Sequence, residues 1–308
     1  MLNLLLVGYG NHAKRRVVPA LKALDKDINF SILNRNNEIK ANEELQFLAK
    51  KDLFKKNFYF DALIITSYPS VHLENLIEFR NNSNTFLIEK PITNNFDYLL
   101  GEKFQLIQKR NKVTECLMYF HHPLYVKFKE ILMNYKIEKI RIEFTIPNLD
   151  KSDFRYSKSL GGSSILDQGI YPISLIFDNF KIDMNSLNYR IEFDDVLKID
   201  SGGNFSCRSS DGIEIEAVWG MGMKYSNFVK VYCNDLVFNF PMFFSKPEKF
   251  NSFVQIISKN ETEDYFLGDF DQFKSMYSDI LLKQRNFVYS KNENLISRYR
   301  FINGLLND

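Results

Sequence analysis

Three short patterns in this sequence carry residue types that do chemistry. Gly8-Tyr9-Gly10-Asn11-His12-Ala13 follows the apolar run 2–7 and leads into a helical stretch with Val17, Val18, Ala20, Leu21 and Leu24 on its apolar face. Strand, Gly-x-Gly-x-x-Ala and helix is the arrangement that receives a dinucleotide pyrophosphate. Gly8 allows the tight turn and Gly10 lets backbone amides approach the phosphates. The helix N-terminus adds partial positive charge, and Ala13 lets the helix lie close on the strand. The second pattern, Glu89-Lys90-Pro91, closes the apolar run 84–88. A lysine at the C-terminal end of a parallel strand points into the crevice where open α/β sheets bind ligands. Pro91 restrains the backbone there, and the ammonium is suited to hydrogen-bonding an oxygen on which charge develops. The third pattern is Gly161-Gly162-Ser163-Ser164-Ile165-Leu166-Asp167-Gln168-Gly169-Ile170-Tyr171-Pro172, in which Asp167 and Tyr171 are four residues apart and share one helix face.

The stretches between these patterns read as the elements that must hold them. A second strand over 29–33 ends at Asn34-Arg35-Asn36. An acidic residue at this place binds a ribose 2′-hydroxyl and an arginine accommodates a 2′-phosphate, so Arg35 without a carboxylate favours NADP(H), with NAD(H) possible. Residues 61–66 form a third strand, and 67–70 turn into a helix bearing His72. Farther on, 123–134 reads as a helix, 137–146 as a strand and 167–180 as the helix of the third pattern. Alternating runs between 187 and 257, such as 213–219 and 228–232, read as antiparallel strands. Turns are expected at Gly202-Gly203, Asp211-Gly212 and Asn234-Asp235, and closing helices at 270–282 and 292–306. The expected fold is an α/β Rossmann domain with a mostly parallel sheet over 1–120. An α+β domain with an open antiparallel sheet follows over 121–308.

Composition narrows the function classes. In 308 residues, 40 Lys+Arg against 38 Asp+Glu leave a net charge of +2, too balanced for a protein organised around nucleic acid. No apolar run reaches the roughly 20 residues of a membrane span, and the start lacks a basic leader region. Three scattered cysteines point to a reducing cytoplasm rather than a disulfide frame or zinc site. His121-His122 has no acidic or cysteine partner at ligand spacing, so no metal is expected. Glycine, at 13 residues, is well below the usual ~7% and concentrates in the first and third patterns.

With the N-terminal fingerprint, Thr66-Ser67-Tyr68-Pro69-Ser70-Val71-His72 and Glu89-Lys90-Pro91 in that order, then Phe154-Arg155 and the Gly161–Pro172 run, the sequence resembles the Gfo/Idh/MocA oxidoreductases over nearly its whole length. The resemblance implies hydride transfer between a nicotinamide cofactor and a sugar, nucleotide-sugar or cyclic polyol, in the ketone-reducing direction. It makes Lys90, Asp167 and Tyr171 catalytic. Tyr171 stands where members carry His or Tyr; a phenol, with an unperturbed pKa of about 10, suits protonation of a nascent alkoxide, especially beside Lys90. Asn11, His12, Thr66, Ser67, Pro69, His72 and Glu89 join Gly8, Gly10, Ala13, Asn34, Arg35 and Lys90 around the cofactor. Lys90, His121, Arg155, Gly162, Asp167 and Tyr171 face the substrate. Tyr119-Phe120-His121-His122-Pro123 replaces an Asn-x-Arg-Phe of relatives, so either histidine is a substrate-facing candidate. Ser163 replaces the third glycine of the family run. The first helix, Lys14 to Leu21 with Pro19 inside it, is similar to that of the nucleotide-sugar 3-ketoreductases of the family, which carry Tyr at the position of Tyr171. Arg15 or Arg16 either reaches cofactor phosphate or stays on a solvated face. The family further implies a homodimer or homotetramer built through the C-terminal sheet. Two other readings remain: an imine or tetrapyrrole reductase of the same family, and a non-catalytic NADP-binding regulator or scaffold.

Overall fold

Leu4, Leu5, Leu6 and Val7 are buried without interruption, and so are Ala62, Leu63, Ile64 and Ile65. Continuous apolar runs of this kind belong to strands covered on both faces, as in parallel sheets. The computed structural model describes residues 1–24, 26–33, 46–48, 58–247, 249–283 and 292–307. In it the chain divides into two compact units, Met1–Leu117 with Met276–Asn292, and Met118–Ser275 with Glu293–Asp308.

Among the described residues the first unit holds six parallel strands: β1 (Leu2–Val7), β2 (Ile28–Leu33), β3 (Gln46–Leu48), β4 (Ala62–Ile65), β5 (Thr85–Glu89) and β6 (Lys112–Cys116). Their order is β3-β2-β1-β4-β5-β6, so the direction of winding reverses between β1 and β4. The expected Rossmann sheet is therefore present. A π-helical turn, Ala13–Val17, precedes helix α1 (Val18–Lys22). The wide turn explains Pro19: Val18 N–H bonds the carbonyl five residues back, on Ala13, and Pro19 falls in the first turn of α1, where a missing donor costs little. Helices α2 (His72–Phe79), α3 (Phe96–Leu100) and α4 (Glu102–Arg110) follow. β6 escapes the sequence pattern because it is a sheet edge and buries a carboxylate, Glu115, among its five residues.

The second unit begins with helix α5 (Pro123–Asn134) and strand β7 (Lys139–Ile146). A π-helical turn, Ile165–Gly169, then runs into α6 (Ile170–Asn179). Strands β8 (Ile182–Asp194), β9 (Ile199–Ser209), β10 (Glu214–Met221), β11 (Ser226–Cys233), β12 (Leu236–Pro241), β13 (Asn251–Ile257) and β14 (Thr262–Asp269) complete a sheet of order β14-β13-β12-β11-β7-β10-β9-β8. All pairs are antiparallel except β7 with β10. Two meanders, β8-β9-β10 and β11-β12-β13-β14, thus hang on either side of β7. The expected open antiparallel sheet is present, with one parallel pair at its centre.

In β11 the side chains alternate cleanly, with Asn227, Val229, Val231 and Cys233 buried. Helix α6 lies over β7 and β10. Helices α7 (Gln272–Tyr277) and α8 (Asn292–Asn307) come last, α7 running into a π turn at Ser278–Leu282. One expected turn is corrected: Gly202-Gly203 lies inside β9, opposite Gly220 and Trp219. A Cβ on Gly203 would sit 2.7 Å from the Trp219 ring, so this glycine makes room for a fully buried indole rather than reversing the chain. The reversal comes earlier, at 195–198, where Lys198 takes φ 55°. No helix among the described residues is long and apolar enough to cross a membrane.

Candidate active site

In the first unit the fingerprint glycines serve different ends. Gly8 has φ 99°, and a Cβ there would stand 2.8 Å from the Ser67 backbone nitrogen. The Thr66 hydroxyl donates to the Gly8 carbonyl at 2.9 Å, so the turns after β1 and β4 are fastened directly to each other. Gly10 is exposed, and a Cβ on it would meet nothing within 4 Å. Its contribution is close backbone approach from outside, as a pyrophosphate needs. Asn11 and His12 are exposed beside it, and Ala13 is buried under the turn.

The turn after β5 is braced from below. Lys90 is half-buried, and its bond to Pro91 is cis. The Ile92 amide donates to the buried Glu115 carboxylate at 2.9 Å. Glu89 is buried, and His12 Nε2 lies 3.2 Å from its Oε1, close enough for an ion pair but without hydrogen-bond geometry. His72, placed by sequence near the cofactor, is 1% exposed, with its two ring nitrogens at the Pro91 and Ser67 carbonyls. Asn75 of α2 holds the Ser67 hydroxyl at 2.9 Å, and Pro69 is buried in the same turn. Gly8, Thr66, Ser67, Glu89, Lys90 and the His72 brace therefore gather at the C-terminal edge of β1, β4 and β5. Asn34 and Arg35 lie outside the described residues.

In the second unit the Gly-Gly run shapes the approach to the motif helix. Gly161 has φ 91°, a left-handed cap on the short turn Lys158–Leu160. A Cβ on Gly162 would sit 2.3 Å from the Arg155 carbonyl, so only glycine lets the 155–157 segment lie against it. Arg155 Nε donates to Asp167 Oδ2 at 2.6 Å and Nη1 donates to both Asp153 oxygens at 3.1 and 3.2 Å. The adjacent Asp167 carboxylate raises the guanidinium pKa further, so Arg155 stays charged beside it. Gln168 donates to the same oxygen, Asp167 Oδ2. Ser163, which follows the two glycines, is structural. Its hydroxyl, the Ser164 hydroxyl and the Ile165 amide all donate to the buried Asp200 carboxylate, at 2.5, 2.6 and 2.6 Å.

Tyr171 is 3% exposed, its ring meeting Phe144 and Tyr119 edge-on and Phe244 at a tilt, with its hydroxyl donating to Met118 Sδ at 3.6 Å. His122 is withdrawn from the substrate candidates. It is fully buried as the N-cap of α5, its Nδ1 accepting from the Leu124 amide at 3.1 Å. Burial, with the Lys246 ammonium second, pulls its pKa down to about 2. His121 is half-buried on the preceding 3-10 turn. Asp153, Asp200, Gln168 and Glu115 support the named residues, yet sequence reasoning gave none of them a part in the site. Among the described residues, no cluster of three or more His, Cys, Asp or Glu could hold a metal ion.

A parallel sheet wound 3-2-1-4-5-6 and followed by an open eight-stranded sheet is a fold this chain shares with an aldose-aldose oxidoreductase from Caulobacter crescentus, with a TM-score of 0.81 at 13% identity over 99% of this chain and 96% of that one. The relatives are narrower than that. The chain is 25% identical over 218 residues to a dTDP-3,4-didehydro-2,6-dideoxy-alpha-D-glucose 3-reductase of Actinomadura kijaniata, covering 69% of this chain and 65%, just under two thirds, of the relative. A reductase of the same name from Streptomyces violaceoruber is 23% identical over 276 residues, covering 87% of this chain and 80% of the relative. Among solved structures, a 3-ketoreductase from Actinomadura kijaniata in complex with NADP and TDP-benzene superposes with a TM-score of 0.84 at 20% identity, over 99% of this chain and 97% of that one. No family model matches the chain.

Proposed function

We propose that this protein is an NADP(H)-dependent oxidoreductase that reduces a ketone on a nucleotide-linked sugar. The observation that carries the reading is the Arg155–Asp167 salt bridge at the head of the helix bearing Tyr171. That geometry suits an acceptor for sugar hydroxyls close in sequence to a proton donor. The names of the curated relatives and the NADP and TDP-benzene bound by the Actinomadura kijaniata enzyme support the choice of cofactor and substrate class.

The Gly8–Ser67 contact and the open side of Gly10 fit a dinucleotide, with Arg35 assigned to its 2′-phosphate. When bound, the nicotinamide supplies the hydride. Lys90 hydrogen-bonds the substrate oxygen as charge develops, Tyr171 donates the proton to it, and Asp167 accepts from the neighbouring hydroxyls. For Tyr171 this requires its hydroxyl to exchange Met118 Sδ, a weak acceptor, for the substrate oxygen. His121 and Arg155 border the substrate, Arg155 through the carboxylate it holds. Three buried thiols suit a reducing cytoplasm. The exposed Phe193, Tyr265 and Phe266 on the β8 and β14 edges suit burial against further copies of the chain.

Thermal shift with NADPH and NADH, followed by NADPH oxidation with a panel of TDP-linked keto-sugars, tests the reading. A larger shift with NADPH and turnover of at least one 3-keto sugar are expected. Binding without turnover of any member of the panel would refute the substrate class; equal shifts would refute the cofactor preference.

A further inference from the structure

His72 occupies a position with two demands that a neutral imidazole cannot meet together. Nδ1 is 2.9 Å from the Pro91 carbonyl oxygen and Nε2 is 2.8 Å from the Ser67 carbonyl oxygen. Both partners are acceptors only. A neutral ring has one N–H, so one carbonyl would face a ring lone pair across hydrogen-bond distance. Turning the ring over does not help, because both nitrogens are already the atoms in contact. The ring is 1% exposed, so no bulk water stands ready to relieve the mismatch.

The influences on the ring oppose each other. Burial is the largest and draws the pKa below the usual histidine value; the two carbonyls push it up, as do Glu89 at the end of β5 and Glu115 in β6. Those carboxylates are the charged groups that bear on the ring from the strands packed against it, and the turn after β4 faces it with the Ser67 carbonyl. Both carboxylates are themselves buried, at 8% and 4% exposure, where a nearby cation is worth most. The net of these influences lies below the usual histidine value; against it stands the geometry, since only a ring protonated at both nitrogens can donate to both carbonyls at these distances.

We propose that His72 is a buried imidazolium at neutral pH, donating from both nitrogens, and that it is a positioning residue clamping the turn after β4 to the turn after β5. The Ser67 side of the clamp holds the loop that touches Gly8, and the Pro91 side follows Lys90 directly. The role in positioning cofactor and Lys90 rests on the function proposed above; the protonation state does not.

The two can be read separately. Nitrogen-15 NMR of the histidine rings, on the whole protein without ligand, reports protonation without any substrate. The variants H12Q and H121Q identify the two less buried rings, leaving His72 and His122. His122 accepts at Nδ1 and is expected as a neutral ring protonated at Nε2, within 3.3 Å of the Ser252 hydroxyl. His72 is expected with both nitrogens protonated at pH 7. Two neutral buried rings at that pH would overturn the proposal, whatever the enzyme reduces. The clamp is tested by H72Q, which keeps a donor for one carbonyl only. Its NADPH affinity and kcat/KM are expected to fall on the order of 10- to 100-fold, and unchanged values would overturn the positioning role. Should H72Q fail to fold, the wild-type protein carries the same test. NADPH affinity should fall as the His72 signal loses its proton at high pH, and a flat affinity through that titration would overturn the role.

Discussion

At the scale of single residues, the two ends of the proposed reaction are separable by mutation. Lys90→Met and Tyr171→Phe are expected to lower kcat about 10²–10⁴-fold while leaving the dissociation constant for NADPH, read by fluorescence titration, nearly unchanged. Full activity in both would remove them from the catalytic assignment. Ser163 offers a sharper test of the structure alone. Ser163→Gly takes one of three donors from the buried Asp200 carboxylate. The expected loss is about 1–2 kcal/mol of unfolding free energy in urea. A variant as stable as the parent would show that the serine is incidental. The places of Gly8, Lys90, Asp167 and Tyr171 in turns and helix were readable because each sits in a short, local pattern. Asp200 was not, because it reaches the Ser163-Ser164 turn from a strand 36 residues farther along the chain.

At the scale of elements, α5 shows how one side chain can serve the fold so fully that it leaves the site. His122 caps the helix in the neutral state, with a folded pKa of about 2 against roughly 6.5 in the unfolded chain. Below pH 6.5 the unfolded chain takes up a proton that the folded protein refuses, so this stabilisation is complete above that value and shrinks on acidification. By pH 5 it has lost about 2 kcal/mol. His122→Asn keeps a capping oxygen and cannot titrate. Its deficit against wild type at pH 8 should shrink by that amount at pH 5, as read from urea midpoints at the two pH values. A pH-independent difference would show that His122 titrates normally.

Other elements show where pattern reading fails. β1, β4 and β5 were legible because burial on both faces makes them continuous apolar runs. Gly202-Gly203 misled because the demand for glycine came from Trp219 on the neighbouring strand, which no window around 202 contains. His122 misled in the same way, since the Leu124 amide and Ser252 become its partners only once α5 and β13 exist.

At the scale of the whole molecule, the second unit is closed by its own C-terminus. Arg298 on α8 is 0% exposed, with Nη1 donating to Asp178 Oδ2 on α6 at 3.1 Å, and Asn294 donates to the other oxygen at 2.8 Å. Removing one partner from such a pair strands the other charge. Arg298→Met is expected to cost about 3–5 kcal/mol by chemical denaturation, most of it recovered in the double variant Asp178→Leu/Arg298→Met. A single variant as stable as wild type would show the pair contributes nothing. The parallel pairing of β7 with β10 carries a different consequence, for the order of events in folding. Those strands are neighbours in the sheet but stand more than 65 residues apart, and the Asp167–Tyr171 segment lies in the chain between them. Loop-closure entropy is spent before that contact returns anything. A nascent chain released before Met221 lacks the strand on which α6 rests, so the half of the chain proposed to face the sugar matures late, well after the Gly8 turn has emerged.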